Sequence, residues 1–143
     1  MNSQAIALIK QSEGLRLQAY KCAAGVWTVG WGHTAGVTAA TAVTEAEAER
    51  LLEADVAPLE RRIATDAPQL TVAQQAALIS FAFNVGLAAM LRSTLWAKVR
   101  KNPADESIAA EFARWCRAGG RVLVGLQRRR KAEASLYFSD SKL

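Results

Sequence analysis

Residues 13–33 read EGLRLQAYKCAAGVWTVGWGH, and this stretch decides the fold. It opens where a helix closes. Residues 3–12 place Ala5, Ile6 and Ile9 on one helical face, Ser3 suits the N-cap, and Gly14 suits the C-terminal stop. Glu13 then falls at the negative end of the helix dipole, an unfavourable place for a carboxylate. After it the pattern changes. Glycines recur at 14, 25, 30, 32 and 36, and Leu17–Lys21 and Val26–Trp31 are short aromatic and β-branched runs. Ala23-Ala24-Gly25 can connect them, which predicts a small antiparallel hairpin. A hairpin folded against a helix terminus can bring an acid (Glu13), a thiol (Cys22) and a hydroxyl (Thr28) to one cleft. The plain alternatives are a solvated glutamate, a small apolar filler at a hairpin end and an ordinary strand threonine.

Outward from this stretch the chain reads as helical. Thr44-Glu45-Ala46-Glu47 and Thr71-Val72-Ala73-Gln74 both fit capping boxes. Leu51, Leu52, Val56, Leu59 and Ile63 form an apolar stripe at helical spacing behind the first. The second helix carries Leu78, Ile79, Phe81 and Phe83 and stops at Gly86. Thr94 can cap a short helix to Lys101, and Pro103 opens one to about Cys116. Gly119-Gly120 breaks that helix, and a last one spans about Leu126 to Tyr137. Repeats and low-complexity linkers are not seen, so we expect one domain.

Composition narrows the chemistry. With 143 residues, 51% hydrophobic and 22% charged, the chain is globular rather than disordered. Two cysteines, Cys22 and Cys116, exclude a disulfide scaffold, and the single His33 excludes a multi-histidine metal site; no metal or cofactor is expected. No apolar run approaches the ~20 residues that span a bilayer, so no membrane insertion is expected. The start, Met1 to Lys10, lacks a basic segment followed by a long apolar one, and we expect no secretion signal. The net charge of +5 favours a polyanionic partner: nucleic acid, anionic lipid or a bacterial wall with acidic groups. A helix-turn-helix or aromatic RNA-binding signature is lacking, so nucleic acid is not the expected partner.

The order Glu, eight residues, Cys, five residues, Thr, standing here as Glu13, Cys22 and Thr28, resembles the motif of the phage-type lysozymes, the endolysin family that includes the lambdoid phage lysozymes. The flanks agree: Glu13-Gly14-Leu15-Arg16-Leu17, Tyr20-Lys21 and Thr28-Val29-Gly30-Trp31-Gly32-His33. Val43–Ala48 resembles the family's next helix start, and Phe81–Gly86 its central buried helix. Arg114-Trp115, Gly119–Leu123, Gly125-Leu126 and Arg128–Arg130 resemble the lambdoid branch. The resemblance covers essentially the whole chain. It implies an α+β lysozyme-like fold: a small antiparallel β lobe of about residues 15–43 and a predominantly helical lobe of about 1–13 and 44–143, with the active-site cleft between them.

The implied activity is hydrolysis of the β-1,4 bond between N-acetylmuramic acid and N-acetylglucosamine in peptidoglycan. Cleavage needs a proton on the leaving oxygen and an attacker on the opposite face of the sugar. Glu13, the motif's one carboxylate, is the expected general acid. Cys22 stands where many members carry Asp. Either it positions water with Thr28, acting as a base when ionised, or its thiolate attacks the sugar directly. His33 and Asp55 are expected to form an ion pair tying the lobes together. Thr34, Phe83 and Thr94 match positions lining the sugar cleft, with core packing the equal alternative for Phe83. Asn84 is expected to donate hydrogen bonds to substrate or to Trp115. One of Arg128, Arg129 and Arg130 can face Glu13. Both thiols are expected free. The chain is expected to act as a monomer, held in the host cytoplasm until a holin releases it to the periplasm and cell wall. The missing Asp leaves a second reading, a catalytically weakened lysozyme fold that grips peptidoglycan; chitin hydrolysis is a further option.

Overall fold

A computed structural model describes residues 1–139. The chain opens with helix α1 (Ser3–Glu13), followed by strands β1 (Arg16–Lys21) and β2 (Trp27–Gly30). Helices α2 (Glu45–Asp66), α3 (Val72–Val85), α4 (Leu87–Leu91), α5 (Thr94–Lys101) and α6 (Ile108–Ala113) come next. A second hairpin, β3 (Arg117–Ala118) and β4 (Arg121–Val122), leads into α7 (Val124–Tyr137). The architecture is therefore α+β, mostly helical, with a small antiparallel sheet.

The cap of α1 is Asn2, not Ser3. Asn2 Oδ1 accepts the Ala5 N–H at 3.0 Å while its amide donates to the Val72 carbonyl at 3.0 Å. One side chain thus satisfies the helix start and ties it to α3, which the shorter serine cannot do. β1 and β2 pair antiparallel, with Arg16 opposite Gly30, Tyr20 opposite Thr28 and Lys21 opposite Trp27; the strands start and end within a residue of the sequence reading. Residues 41–43 run along the other side of β1, through Ala19 N–H to Thr41 O (2.9 Å) and Val43 N–H to Leu17 O (2.8 Å).

Both capping boxes form: Thr44 with Glu47, and Thr71 with Gln74, each with its two reciprocal bonds. α3 is the central helix. Ala73 and every residue from Ala76 to Ala82 are buried, and α1, α2 and α7 all pack on it. Phe81 meets the rings of Phe112 and Trp115 edge-on, with centroids 5.6 and 5.4 Å away.

Four expected boundaries move. Ser93, not Thr94, caps α5, because its hydroxyl accepts the Trp96 N–H and donates to the Met90 carbonyl, joining α5 to the end of α4. Pro103 opens no helix. Asn102 and Asp105 side chains capture the Ala104 and Ser107 amides and hold the segment as turns, so α6 starts at Ile108 and ends at Ala113, short of Cys116. Gly119-Gly120 is the turn of a hairpin rather than a bare break: both have positive φ (59° and 77°), the pattern that closes a two-residue turn. α7 begins at Val124, two residues before Leu126, because the hairpin delivers the chain there through Leu123 N–H to Cys116 O at 2.9 Å.

Candidate active site

The site is built around the end of α1. Gly14 takes φ 71° and returns its N–H to Lys10 O at 3.0 Å, which stops the helix one residue after Glu13. The Glu13 side chain is 18% exposed. Two elements close on it. From α7, Arg129 Nη1 donates to Glu13 Oε2 at 2.5 Å. From the loop after β2, Gly32 approaches so closely that a methyl there would lie 2.8 Å from Glu13 Cδ and Oε1; its φ of +79° also favours glycine. Of the three sequential arginines, Arg129 is therefore the one facing the acid. Arg128 is exposed, and Arg130 points into the core. The sequence did not make this choice, since Glu133 lies at helical spacing from both Arg129 and Arg130.

A groove of about 600 Å³ runs past Glu13, lined also by Leu8, Ala23, Asn84, Leu123 and Arg128. It adjoins a second of about 400 Å³ that carries Cys22 with Ala23, Ala24, Asn84, Trp115 and Arg117. Ala23, Asn84 and Leu123 line both, so the acid and the thiol open on one continuous depression between α1, the β1–β2 turn, α3 and α7. A smaller hollow of about 230 Å³ holds Thr34, Phe83, Gly32 and His33. Thr94 lines none of these three; it is an exposed first residue of α5.

Cys22 sits just past β1, where its backbone N–H donates to Val26 O at 3.0 Å. Burial pushes the thiol up, but hydrogen bonds from the backbone around Val26 and Ala24 and from the Thr28 hydroxyl outweigh it and hold the thiol below its ordinary value. Thr28 is 2% exposed; its one hydroxyl hydrogen goes to Val26 O at 2.9 Å or turns to the Cys22 sulfur when that is ionised, so it meets the groove through the cysteine. Tyr20, opposite Thr28, feels both acid and thiol: burial raises its phenol first, and the charges of Glu13 and Cys22 raise it further. The sequence reading did not single out Tyr20 as a site residue.

His33 Nδ1 stands 2.7 Å from Asp55 Oδ2 on α2, and Nε2 stands 2.9 Å from Ala35 O. A carbonyl and an ionised carboxylate only accept, so both contacts are complete only with a proton on each ring nitrogen. Cys22 and Cys116 are free thiols. Among the described residues no group of three or more His, Cys, Asp or Glu side chains could hold a metal, and no helix is long and apolar enough to cross a membrane.

Comparison with known proteins gives this geometry its family. Residues 10–133 match the model of the family described as phage lysozyme. The chain belongs to the phage lysozyme family. It is 41% identical to an endolysin of Acyrthosiphon pisum secondary endosymbiont phage 1, covering 97% of this chain and 98% of that protein. It is 38% identical to the endolysin of Bacillus phage B103, and there spans only about half (52%) of the relative's length. Its fold matches the muramidase domain of SpmX from Asticcacaulis excentricus with a TM-score of 0.80 at 35% identity, over 93% of each chain. Membership makes this lysozyme-family chain a glycoside hydrolase.

Proposed function

We propose that the chain is an endolysin with lysozyme activity, cutting the β-1,4 bond between N-acetylmuramic acid and N-acetylglucosamine in peptidoglycan for host lysis. The observation that carries this is the groove with Glu13 on one stretch and Cys22 on the next, joined by Ala23 and Asn84. Glu13 protonates the leaving oxygen. Water arrives from the other face, held near Cys22, whose sulfur takes its proton when ionised; Thr28 tunes the sulfur and fixes its position. The depressed thiol supports the ionised form. Direct attack by the thiolate is the second reading, and the same depression favours it. Asn84, which borders both stretches, meets the sugar, and Thr34 and Phe83 line the further hollow. Thr94 belongs to the family's sugar-binding positions by resemblance.

The sheet lobe of residues 15–43 and the helical remainder work as one domain, and the enzyme acts as a monomer. It starts in the host cytoplasm and reaches the wall once a holin opens the inner membrane. The test is release of reducing ends and loss of turbidity from permeabilised Gram-negative cells. Glu13→Gln should abolish both. Equal clearing by parent and variant would remove the catalytic assignment. Binding without clearing by both would favour a wall-binding protein.

A further inference from the structure

The most buried carboxylate among the described residues takes no direct part in that chemistry. Glu133 on α7 is fully enclosed (0% exposed). Arg130 Nε lies 2.7 Å from its Oε1, and Arg130 Nη2 donates to Oε2 at 3.0 Å. Arg129 Nε donates to Ser80 Oγ at 3.4 Å and lies 3.4 Å from Glu133 Oε2, and the Ser80 hydroxyl in turn donates to Oε2 at 2.7 Å, so Glu133 reaches Arg129 by charge and through Ser80. Arg129 also donates from Nη2 to the Ser80 carbonyl at 3.2 Å, leaving Nη1 for Glu13. The Arg130 Nη2 and Ser80 donors both meet Oε2, while Oε1 and Arg130 Nε approach to 2.7 Å without an aligned hydrogen bond; two guanidiniums against one carboxyl favour its ionised form.

We infer that Glu133 is a positioning residue for Glu13, acting through Arg129: it holds the guanidinium in place and cancels part of the charge of the Arg129–Arg130 pair. The inference rests on Glu13 being the proton donor. Such a donor must be neutral before it acts. With Glu133 ionised, two arginines and a neutral Glu13 carry a net charge of one. Without that carboxylate the same cluster carries two, and the excess favours an ionised Glu13 that has no proton to give.

The surroundings offer no substitute. Against Glu133, α7 supplies Arg129 and Arg130 and α3 supplies the neutral Ser80. Against Glu13, α7 supplies Arg129 directly with Arg130 behind it, and the hairpin supplies Tyr20, with Cys22 beyond it. α3 has no ionisable side chain at all. Burial lifts the Glu133 carboxyl above the usual carboxylate range, and Arg130, Arg129 and Ser80 offset only part of that rise. A buried ion cluster of this kind seldom stabilises a fold more than apolar packing would. Its place directly behind the acid gives it a reason to exist.

The experiment is a carboxyl-carbon NMR titration of Glu13 in protein labelled on glutamate, with the signal assigned by its loss in Glu13→Gln. Glu133→Gln should move the Glu13 midpoint to lower pH by about half a unit to one unit. Arg130→Met should move it upward by about half a unit. The double variant, which restores the charge balance, should return close to the parent. Thermal melts run alongside. Lower melting temperatures with an unmoved midpoint would reduce Glu133 to a structural residue and overturn the inference. If Glu133→Gln alone does not fold, the double variant decides against Arg130→Met: its Glu13 midpoint should lie about half a unit lower, and a midpoint equal to that of Arg130→Met overturns the inference equally. Full lytic activity in Glu13→Gln would instead overturn the acid assignment, whatever the titration shows.

Discussion

Cys22 and Gly32 show what single atoms decide in this site. If the sulfur works as a thiolate, a carboxylate in its place should work over a wider range. Aspartate stays ionised down to about pH 4, whereas an ordinary thiol loses its charge near about pH 8.5, and the hydrogen bonds on Cys22 lower that value. The activity of Cys22→Asp relative to the parent should therefore rise as pH falls from 8 to 5. Cys22→Ser should lose about 100-fold or more. A flat Asp-to-parent ratio, measured as reducing ends released at each pH, would exclude both base and nucleophile roles and leave a neutral thiol that only places water. Gly32 matters for the opposite reason, an atom that is absent. Alanine there combines a strained φ of +79° with a methyl 2.8 Å from the Glu13 carboxyl. The strain costs about 1–2 kcal/mol, and displacing the acid by about 1 Å can cost about 100-fold in rate. Gly32→Ala should show both in a melt and in turnover; unchanged turnover would mean that the acid tolerates movement. Glu13, Cys22 and Thr28 were legible in the sequence because their spacing is a motif. Gly32 was visible only as one glycine among several, since its close approach to Glu13 is a contact in three dimensions. Ser80 gave no signal, being one small residue in an apolar helix.

At the scale of elements, the reading succeeded where local chemistry is self-contained. Thr71 and Gln74 close their box within four residues, so the start of α3 could be read directly. Thr71→Ala should cost about 1 kcal/mol and lower the melting temperature by about 2–4 °C, with turnover at 25 °C unchanged because the box is far along the helix from Asn84. A drop in turnover without a drop in melting temperature would contradict this. The reading failed where tertiary partners compete. Asn2 displaced Ser3 as a cap because Val72 offered it a second bond. The two-residue strands of β3 and β4 are too short to leave a hydrophobic period, so Gly119-Gly120 read as a break, although it closes a hairpin whose Arg117 borders the groove beside Cys22.

For the whole molecule, the question is what keeps the hairpin registered against the helices. Trp27–Gly30 packs on α2, and His33 reaches Asp55 across the same seam. The two side chains are 13% and 30% exposed, so their pairing is worth about 1 kcal/mol rather than several. A double-mutant cycle with His33→Asn and Asp55→Asn, read by denaturant unfolding, should return a coupling of that size; additive losses would mean that the pair does not hold the seam. This contact was legible from resemblance alone, because twenty-two positions separate the partners and no local pattern links them. The Glu13–Arg129 contact spans 116 positions and was legible only as a choice among three arginines.

Cleavage requires one proton to reach a glycosidic oxygen while water takes the sugar carbon, and digestion of purified peptidoglycan in ¹⁸O-water with mass analysis of the fragments tests this most directly. We predict N-acetylmuramic acid reducing ends carrying one ¹⁸O, absent with Glu13→Gln. Anhydro-muramic ends without label, N-acetylglucosamine reducing ends, or cut peptides with intact glycan strands would contradict it.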